Sequence, residues 1–291
     1  MTLKRIATAL VLIPAVLALV LGARTAWVAV AVTAVVLLAL HEYFALGEAI
    51  GHRAYRWWTL VCACLLVYAQ YLAAMEYAYG VGQGPRPGRL IGIFASPAVA
   101  DILFVFLMGI AVLTLATRRP LVEALPAAGI SSSALLLIAF PLTYAIRLDG
   151  IPLLGKWLLL FALVITWIGD TAAYFAGRAF GRHPLARHLS PKKTWEGAVA
   201  SFAGSLLAAW AMAHWGRINI ANLHVLGVAA AGNVAGQMGD LLESAYKRSS
   251  GVKDSGALLP GHGGVLDRID ALILTFPVVW YYWLWIYSPR A

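Results

Sequence analysis

Long apolar runs alternate with short polar segments along the whole chain. An α-helix needs about 20 mainly apolar residues to cross a bilayer, so each run predicts a membrane-spanning helix. We predict about nine spans, near residues 6–23, 26–46, 57–79, 99–117, 125–146, 155–177, 196–215, 223–246 and 266–287. The expected fold class is an all-α polytopic integral membrane protein, because helices satisfy their backbone hydrogen bonds within the bilayer.

The composition agrees with this class. Apolar residues make up 62% of the chain and charged residues 12%, against about 45–50% and 25% in soluble domains. We therefore predict a single membrane domain over residues 1–291. Residues 1–150 hold few acidic groups and are interpreted as scaffold and lipid-contact helices, whereas residues 151–291 carry the polar clusters and are interpreted as the catalytic part.

The net charge of +9 is spread over short loops between the spans, which argues against a nucleic-acid partner. Cytoplasmic loops of membrane proteins are enriched in Lys and Arg. A cytoplasmic N-terminus puts 15 of the 22 cations on the cytoplasmic side. They are Lys4, Arg5, Arg53, Arg56, Arg118, Arg119, Arg178, Arg182, Arg187, Lys192, Lys193, Lys247, Arg248, Lys253 and Arg268. We predict this orientation, with the active site at the cytoplasmic membrane boundary.

The eighth predicted span carries a polar stripe: Asn233, Gln237, Asp240, Ser244 and Lys247. Steps of four and three residues place these side chains on one helical face. An ionised carboxylate at a helix centre costs about 2.5–3.5 kcal/mol on insertion scales, so Asp240 needs a cation. Asn233 and Gln237 are explained equally well by hydrogen bonds between helices.

A second polar cluster begins in the sixth predicted span with Asp170 and continues through the loop from Ser190 to Gly197. Thr194 is expected to cap the seventh span. Lys192 and Lys193 precede that helix N-terminus, where backbone N–H groups already favour an anion, so they predict a phosphate site. A purely topological role for these two lysines remains an alternative.

A third cluster contains the glycine-rich segment Pro260-Gly-His262-Gly263-Gly264, followed by Asp267 and Asp270. Glycines allow close approach of the backbone to a ligand. Two carboxylates three residues apart on a helix share a face, which suits Mg²⁺ held together with substrate phosphates. Arg268 lies off this face and is a weaker phosphate candidate.

The cations and carboxylates before this segment are Lys247, Arg248, Lys253 and Asp254. No nucleophile–base pair is evident, because Ser244 has no histidine at hydrogen-bonding spacing on its own helix. Phosphoryl chemistry fits such a set, since it depends mostly on positioning and charge neutralisation.

The string Ser244-x2-Lys247-Arg248-x4-Lys253-Asp254-x5-Pro260-Gly-His-Gly-Gly264-x2-Asp267-Arg268-x-Asp270 resembles the signature of the phosphatidate cytidylyltransferases, or CDP-diacylglycerol synthases. The segments 170–174, 190–197 and 239–244 are similar to that family as well. The resemblance implies an all-helical bacterial inner-membrane enzyme that converts CTP and phosphatidate to CDP-diacylglycerol and pyrophosphate. It also implies Mg²⁺, with a monovalent cation such as K⁺, and is compatible with a homodimer.

The resemblance further implies roles for matching residues. Asp240, Asp267 and Asp270 are the expected metal ligands and, with Lys253 and Asp254, the catalytic residues. The expected substrate-binding residues are Asp170, Ser190, Lys192, Lys193, Asn233, Ser244, Lys247, Arg248, His262, Gly263, Gly264 and Arg268. A CTP-dependent polyprenol or phytol kinase could use the same residues, and an ion-coupled transporter with Asp170 and Asp240 as ion sites is the alternative from another class.

Overall fold

The computed structural model describes residues 2–79, 99–117, 120–215, 222–258 and 263–284, and these form a helical bundle with one small hairpin. The first part contains α1 (Thr2–Gly22), α2 (Thr25–Ala49), α3 (Arg56–Tyr79), α4 (Val99–Ala116), α5 (Ala124–Ser133), α6 (Phe140–Leu142) and α7 (Tyr144–Asp149). The second part contains α8 (Gly155–Phe180), β1 (Pro184–Ala186), β2 (Ser190–Thr194), α9 (Trp195–Trp215), α10 (Asn222–Ser249) and α11 (Leu266–Tyr282).

Within the described ranges, six helical stretches are long and apolar enough to cross a membrane. They are Thr25–Ala49, Arg56–Ala78, Val99–Ala116, Leu121–Asp149, Gly155–Phe180 and Trp195–His214. These correspond to the second to seventh predicted spans. The first, eighth and ninth are present as helices α1, α10 and α11. Helix α10 departs from a simple apolar span because it carries the polar stripe, and α11 has 17 described residues, slightly fewer than a span requires.

The fifth predicted span is interrupted rather than continuous. After α5, residues Ala134–Ala139 form a π-helical turn, and the short helices α6 and α7 follow. Pro141 lies at this point. Proline lacks an N–H group and its ring collides with the carbonyl four residues earlier, so it kinks or breaks an α-helix.

Helices α2 and α10 end in the same way, with a glycine in the left-handed conformation. The Val252 N–H donates to the Lys247 carbonyl and the Gly251 N–H to the Arg248 carbonyl, at 3.0 and 3.1 Å. Gly251 has a φ of 70°. This paired arrangement is a Schellman cap, which satisfies the last carbonyls of a helix. It ends α10 just after its two terminal cations.

Glycines allow α10 to pack closely against α11. A Cβ on Gly239 would lie 2.4 Å from the Asp270 carbonyl oxygen, and one on Gly236 would lie 2.9 Å from Thr275 Oγ1. The Thr275 hydroxyl donates to the Gly232 carbonyl at 3.2 Å. Small residues at such positions are the usual means by which membrane helices approach each other. The close approach places the acidic ends of the two helices side by side.

Both parts of the chain contribute to one main cluster of buried apolar side chains, which includes Val20, Leu66, Phe106, Phe161 and Trp280. The expected assignment of residues 1–150 to scaffold and 151–291 to catalysis stays a prediction. The shared core is consistent with a single membrane domain.

Candidate active site

Three carboxylates converge where α10 meets α11. One oxygen each from Asp240, Glu243 and Asp270 lies within 4.8 Å of the others. Asp240 and Glu243 are three residues apart on α10 and so share a face. The Glu243 side chain is 3% exposed, and its Oε1 has no hydrogen-bond partner among the described residues.

These carboxylates fit a divalent cation. Like charges this close repel one another strongly at low dielectric, and hard oxygen donors are what Mg²⁺ prefers. The unpartnered Glu243 oxygen leaves a free lone pair beside the other two groups. Asp240, Glu243 and Asp270 are therefore the described residues best placed to hold the metal.

Two lysines contact this acidic cluster, Lys193 from the hairpin and Lys247 from α10 itself. Lys193 Nζ lies 2.7 Å from Asp240 Oδ1. Lys247 Nζ lies 2.5 Å from Glu243 Oε2 and 2.6 Å from Asp267 Oδ1, with its side chain 12% exposed. Both lysines were expected to bind phosphate. In the structure they pair with carboxylates, and the same ammonium groups could bind a phosphate.

Asp267 faces its own loop as well as Lys247. Its Oδ2 accepts hydrogen bonds from the Gly264 N–H at 2.8 Å and the Ser255 N–H at 3.0 Å. Gly263 has a φ of 80°, in the left-handed region that favours glycine. Asp267 thus holds Ser255 and Gly264 at the start of α11, and its role as a metal ligand stays a prediction.

A cleft of about 650 Å³ opens beside the carboxylates. It lies between α8, α9, α10 and the hairpin, and its polar lining includes Asp170, Arg178, Lys192, Lys193 and Asp240. Cations and carboxylates in one cleft suit a ligand that carries phosphate and binds with a metal ion. The structure thus brings Asp170 and the 190–197 segment next to the polar stripe of α10 and to Asp270 of α11.

The β1–β2 hairpin carries the lysines into this cleft. The Gly197 N–H donates to Thr194 Oγ1 at 3.2 Å, which confirms Thr194 as the cap of α9. Glu196 Oε1 lies 2.6 Å from Nδ1 of His183 and ties the hairpin to the helix. Arg248 Nε donates to the Leu189 carbonyl at 3.3 Å, so α10 also contacts the hairpin.

The remaining predicted residues divide into three groups. Asn233 is buried and donates to Ser201 Oγ and Ser205 Oγ at 2.9 and 2.8 Å, which matches the alternative of hydrogen bonds between helices. Ser244 is buried and Ser190 is partly buried. Lys253, Asp254 and Arg268 are exposed, while His262 lies outside the described residues. Their contacts with substrate stay predictions.

The sequence reasoning missed two carboxylates. Glu243 lies three residues after Asp240 and four before Lys247, so helical spacing alone could have included it. Glu42, in α2, accepts hydrogen bonds from Val265 and Leu266 at the start of α11. Glu42 could have been recognised as an acidic residue within an apolar span, because such residues are candidate functional residues by default.

Comparison with known proteins identifies the family. The model of the cytidylyltransferase family matches residues 3–286. A phosphatidate cytidylyltransferase of Haemophilus influenzae is 43% identical over 141 residues, covering 46% of this chain and 48% of the relative. One from Staphylococcus aureus is 40% identical over 142 residues, covering 49% and 53%. The chain thus matches about half the length of these relatives. Because the family model matches nearly the whole chain, the protein belongs to the cytidylyltransferase family.

Proposed function

We propose that this protein transfers the cytidylyl group of CTP to phosphatidate, giving CDP-diacylglycerol and pyrophosphate. The observation that carries the proposal is the cleft in which Lys192, Lys193 and Arg178 stand beside Asp240, next to the Asp240, Glu243 and Asp270 cluster. The relatives that match the chain are named phosphatidate cytidylyltransferases. The sequence signature from Ser244 to Asp270 implies the same activity.

In the proposed reaction, an oxygen of the phosphatidate phosphate attacks the α-phosphorus of CTP in line. The bond from this phosphorus to the oxygen bridging the α- and β-phosphates breaks, and pyrophosphate leaves. The lipid phosphate is itself the nucleophile, so the protein needs no serine or cysteine for this step. Its part is to align the two phosphates and to balance their charge.

The chain's own side chains divide this work. Lys193 and Lys192 bind phosphate oxygens on the hairpin side of the cleft, and Lys247 and Arg248 do so at the end of α10. Asp240, Glu243 and Asp270 would hold the divalent cation, and Asp267 remains a further candidate ligand. A bound Mg²⁺ supplies Lewis-acid stabilisation of the charge on the phosphates.

Several finer proposals accompany this one. The N-terminus and the charged loops face the cytoplasm, and the reaction takes place at that membrane boundary in a bacterial inner membrane, where CTP arrives from water and phosphatidate from the lipid. Mg²⁺ is the divalent cation, with K⁺ as a candidate monovalent ion. A homodimer is compatible with these proposals.

The proposal is tested by pyrophosphate release from the purified protein in mixed micelles. Release should require CTP, phosphatidate and Mg²⁺ together, and the lipid product should carry CMP. Release of CDP with a lipid alcohol as acceptor would instead identify a CTP-dependent lipid kinase. No reaction with either acceptor, from protein shown to be folded, would refute both activities.

A further inference from the structure

Glu42 is a buried acidic residue in the half of the chain that has no part in the proposed chemistry. It lies on α2 with 6% of its surface exposed. A carboxylate in such a place needs compensating partners. Its hydrogen-bond partners lie between α10 and α11 or at the first residue of α11.

Three donors from this segment converge on the Glu42 carboxylate. Oε1 accepts a hydrogen bond from the Val265 N–H at 2.9 Å. Oε2 accepts bonds from the Leu266 N–H at 2.9 Å and the Ser255 hydroxyl at 2.8 Å. The N–H groups in the first turn of a helix have no partner within that helix. Glu42 therefore caps α11 from a neighbouring helix and complements the positive end of its dipole.

Two glycines leave the space that this carboxylate occupies. A Cβ on Gly264 would lie 2.2 Å from Glu42 Oε2, and one on Gly256 would lie 2.7 Å from Oε1. Side chains at these positions would displace Glu42. Gly256 and Gly264 thus allow the chain to pack closely around a residue of α2.

The capped turn is the one that carries the acidic residues of the site. Leu266 directly precedes Asp267, and Asp270 lies one helical turn further on. Gly264 and Ser255 use their backbone N–H groups to hold Asp267. The position of Glu42 is therefore transmitted to both aspartates through a few hydrogen bonds.

We propose that Glu42 is a positioning residue, which sets the place of Asp270 against Asp240 and Glu243 and so tunes divalent-cation affinity. This role rests on the metal site in the proposed function but not on the identity of the substrates. Hydrogen-bond partners of metal ligands change metal affinity or activity by about 10- to 100-fold when mutated. Glu42 acts one step further out, through Ser255 and the backbone N–H groups of Val265 and Leu266, and we use the same range as the scale of its effect.

Glu42→Gln is the sharpest test, because it keeps the shape of the side chain. In the unaltered protein each carboxylate oxygen accepts a hydrogen bond from a backbone N–H, of Val265 or of Leu266. In the variant, either orientation of the amide places its NH₂ group against one of these N–H donors. We expect Mn²⁺ binding to the purified protein without substrates, measured by electron paramagnetic resonance, to weaken by about 10- to 100-fold. Ser255→Ala removes one donor and should weaken binding in the same direction by a smaller factor.

Glu48→Gln is the matched control, since Glu48 lies further along α2 and pairs with Arg56 at 2.7 Å. It should bind Mn²⁺ as the unaltered protein does. Unchanged affinity in folded Glu42→Gln would overturn the proposal, and if that variant does not fold, unchanged affinity in Ser255→Ala would do so. Mn²⁺ binding that responds to Glu42 in a protein without cytidylyltransferase activity would refute only the proposed function.

Discussion

At the scale of single residues, Lys247 links the candidate metal ligand Glu243 on α10 to Asp267 at the start of α11. Its ammonium group pairs with Glu243 on one side and Asp267 on the other, and all three side chains are largely buried. Removing one member of a buried ion pair is far more damaging than replacing the whole pair, because the other charge stays buried. Lys247 therefore has a structural role as well as its proposed phosphate-binding role.

Lys247→Met should lower the free energy of unfolding by about 3–5 kcal/mol, since two buried carboxylates lose their cation. Thermal unfolding in detergent measures this change, with the loss of monodisperse protein as the readout. Lys192→Met is the matched control because Lys192 is exposed. Equal stability of the two variants would show that Lys247 does not hold the carboxylates together.

Asp270→Asn should raise the Mg²⁺ concentration for half-maximal pyrophosphate release and lower the maximal rate by about 100-fold or more, because a neutral amide is a weaker ligand than a carboxylate. A titration of activity against Mg²⁺ measures both. Asp101→Asn, on an exposed position of α4, should leave the curve in place. A normal curve for Asp270→Asn would remove that residue from the metal site.

The family resemblance grouped Asp240 with Asp270, and the two carboxylates lie close together in the structure. Helical spacing alone paired Asp270 only with Asp267. Sequence reasoning did not select Glu243 as part of the same group, although the same spacing rule covers it. It could not assign the partners of Asp267. Those partners include the backbone N–H groups of Ser255 and Gly264, whose positions depend on non-helical backbone that a helical period does not predict.

At the scale of the elements, the contact between α10 and α11 determines whether the carboxylates can meet. Gly239 lies against the backbone of Asp270, so the separation of the two helices depends on its missing side chain. The hairpin adds the opposite wall, with Lys193 reaching Asp240. The helices and the Thr194 cap were predictable from local patterns. The strands were not, because each is only three to five residues long and pairs through backbone atoms.

Gly239→Ala places a methyl group against the Asp270 carbonyl and should destabilise the protein by about 1–3 kcal/mol, as overpacking usually does. It should also weaken Mn²⁺ binding, since Asp240 moves away from Asp270. Gly129→Ala is the control, because a Cβ there meets nothing within 4 Å. Calorimetry and Mn²⁺ titration on both variants test this. Unchanged stability and Mn²⁺ affinity in Gly239→Ala would show that the close approach of α10 and α11 is not required for either property.

At the scale of the whole molecule, contacts between loops place the predicted cytoplasmic segments at one end of the bundle. His52 Nδ1 lies 3.2 Å from Glu123 Oε1, which joins the loop after α2 to the segment before α5. Glu42 joins α2 to the start of α11, and Arg248 joins the end of α10 to the hairpin. The alternation of spans predicted from hydropathy requires the same grouping. The number and orientation of the spans stay predictions, and the contacts between distant spans could not be predicted from hydropathy.

Labelling of single cysteines tests the orientation, in a background with Cys62→Ala and Cys64→Ala. Arg53→Cys should react with a membrane-impermeant maleimide only in inside-out vesicles, and Pro152→Cys only in right-side-out ones, because both positions are exposed and lie at opposite ends of the bundle. The reverse pattern would place the candidate site on the outer face.

The Glu42 cap also has a consequence for the order of events during synthesis. Ser255 is 213 residues later in the chain, and Val265 and Leu266 later still. A nascent chain therefore inserts α2 long before the groups that neutralise its acid exist, and an ionised residue within hydrocarbon costs about 3 kcal/mol until then. The hydrogen bonds to Glu42 can form only once Ser255, Val265 and Leu266 have been synthesised. Completion of the α2 environment and assembly of the α10–α11 site are therefore coupled during synthesis.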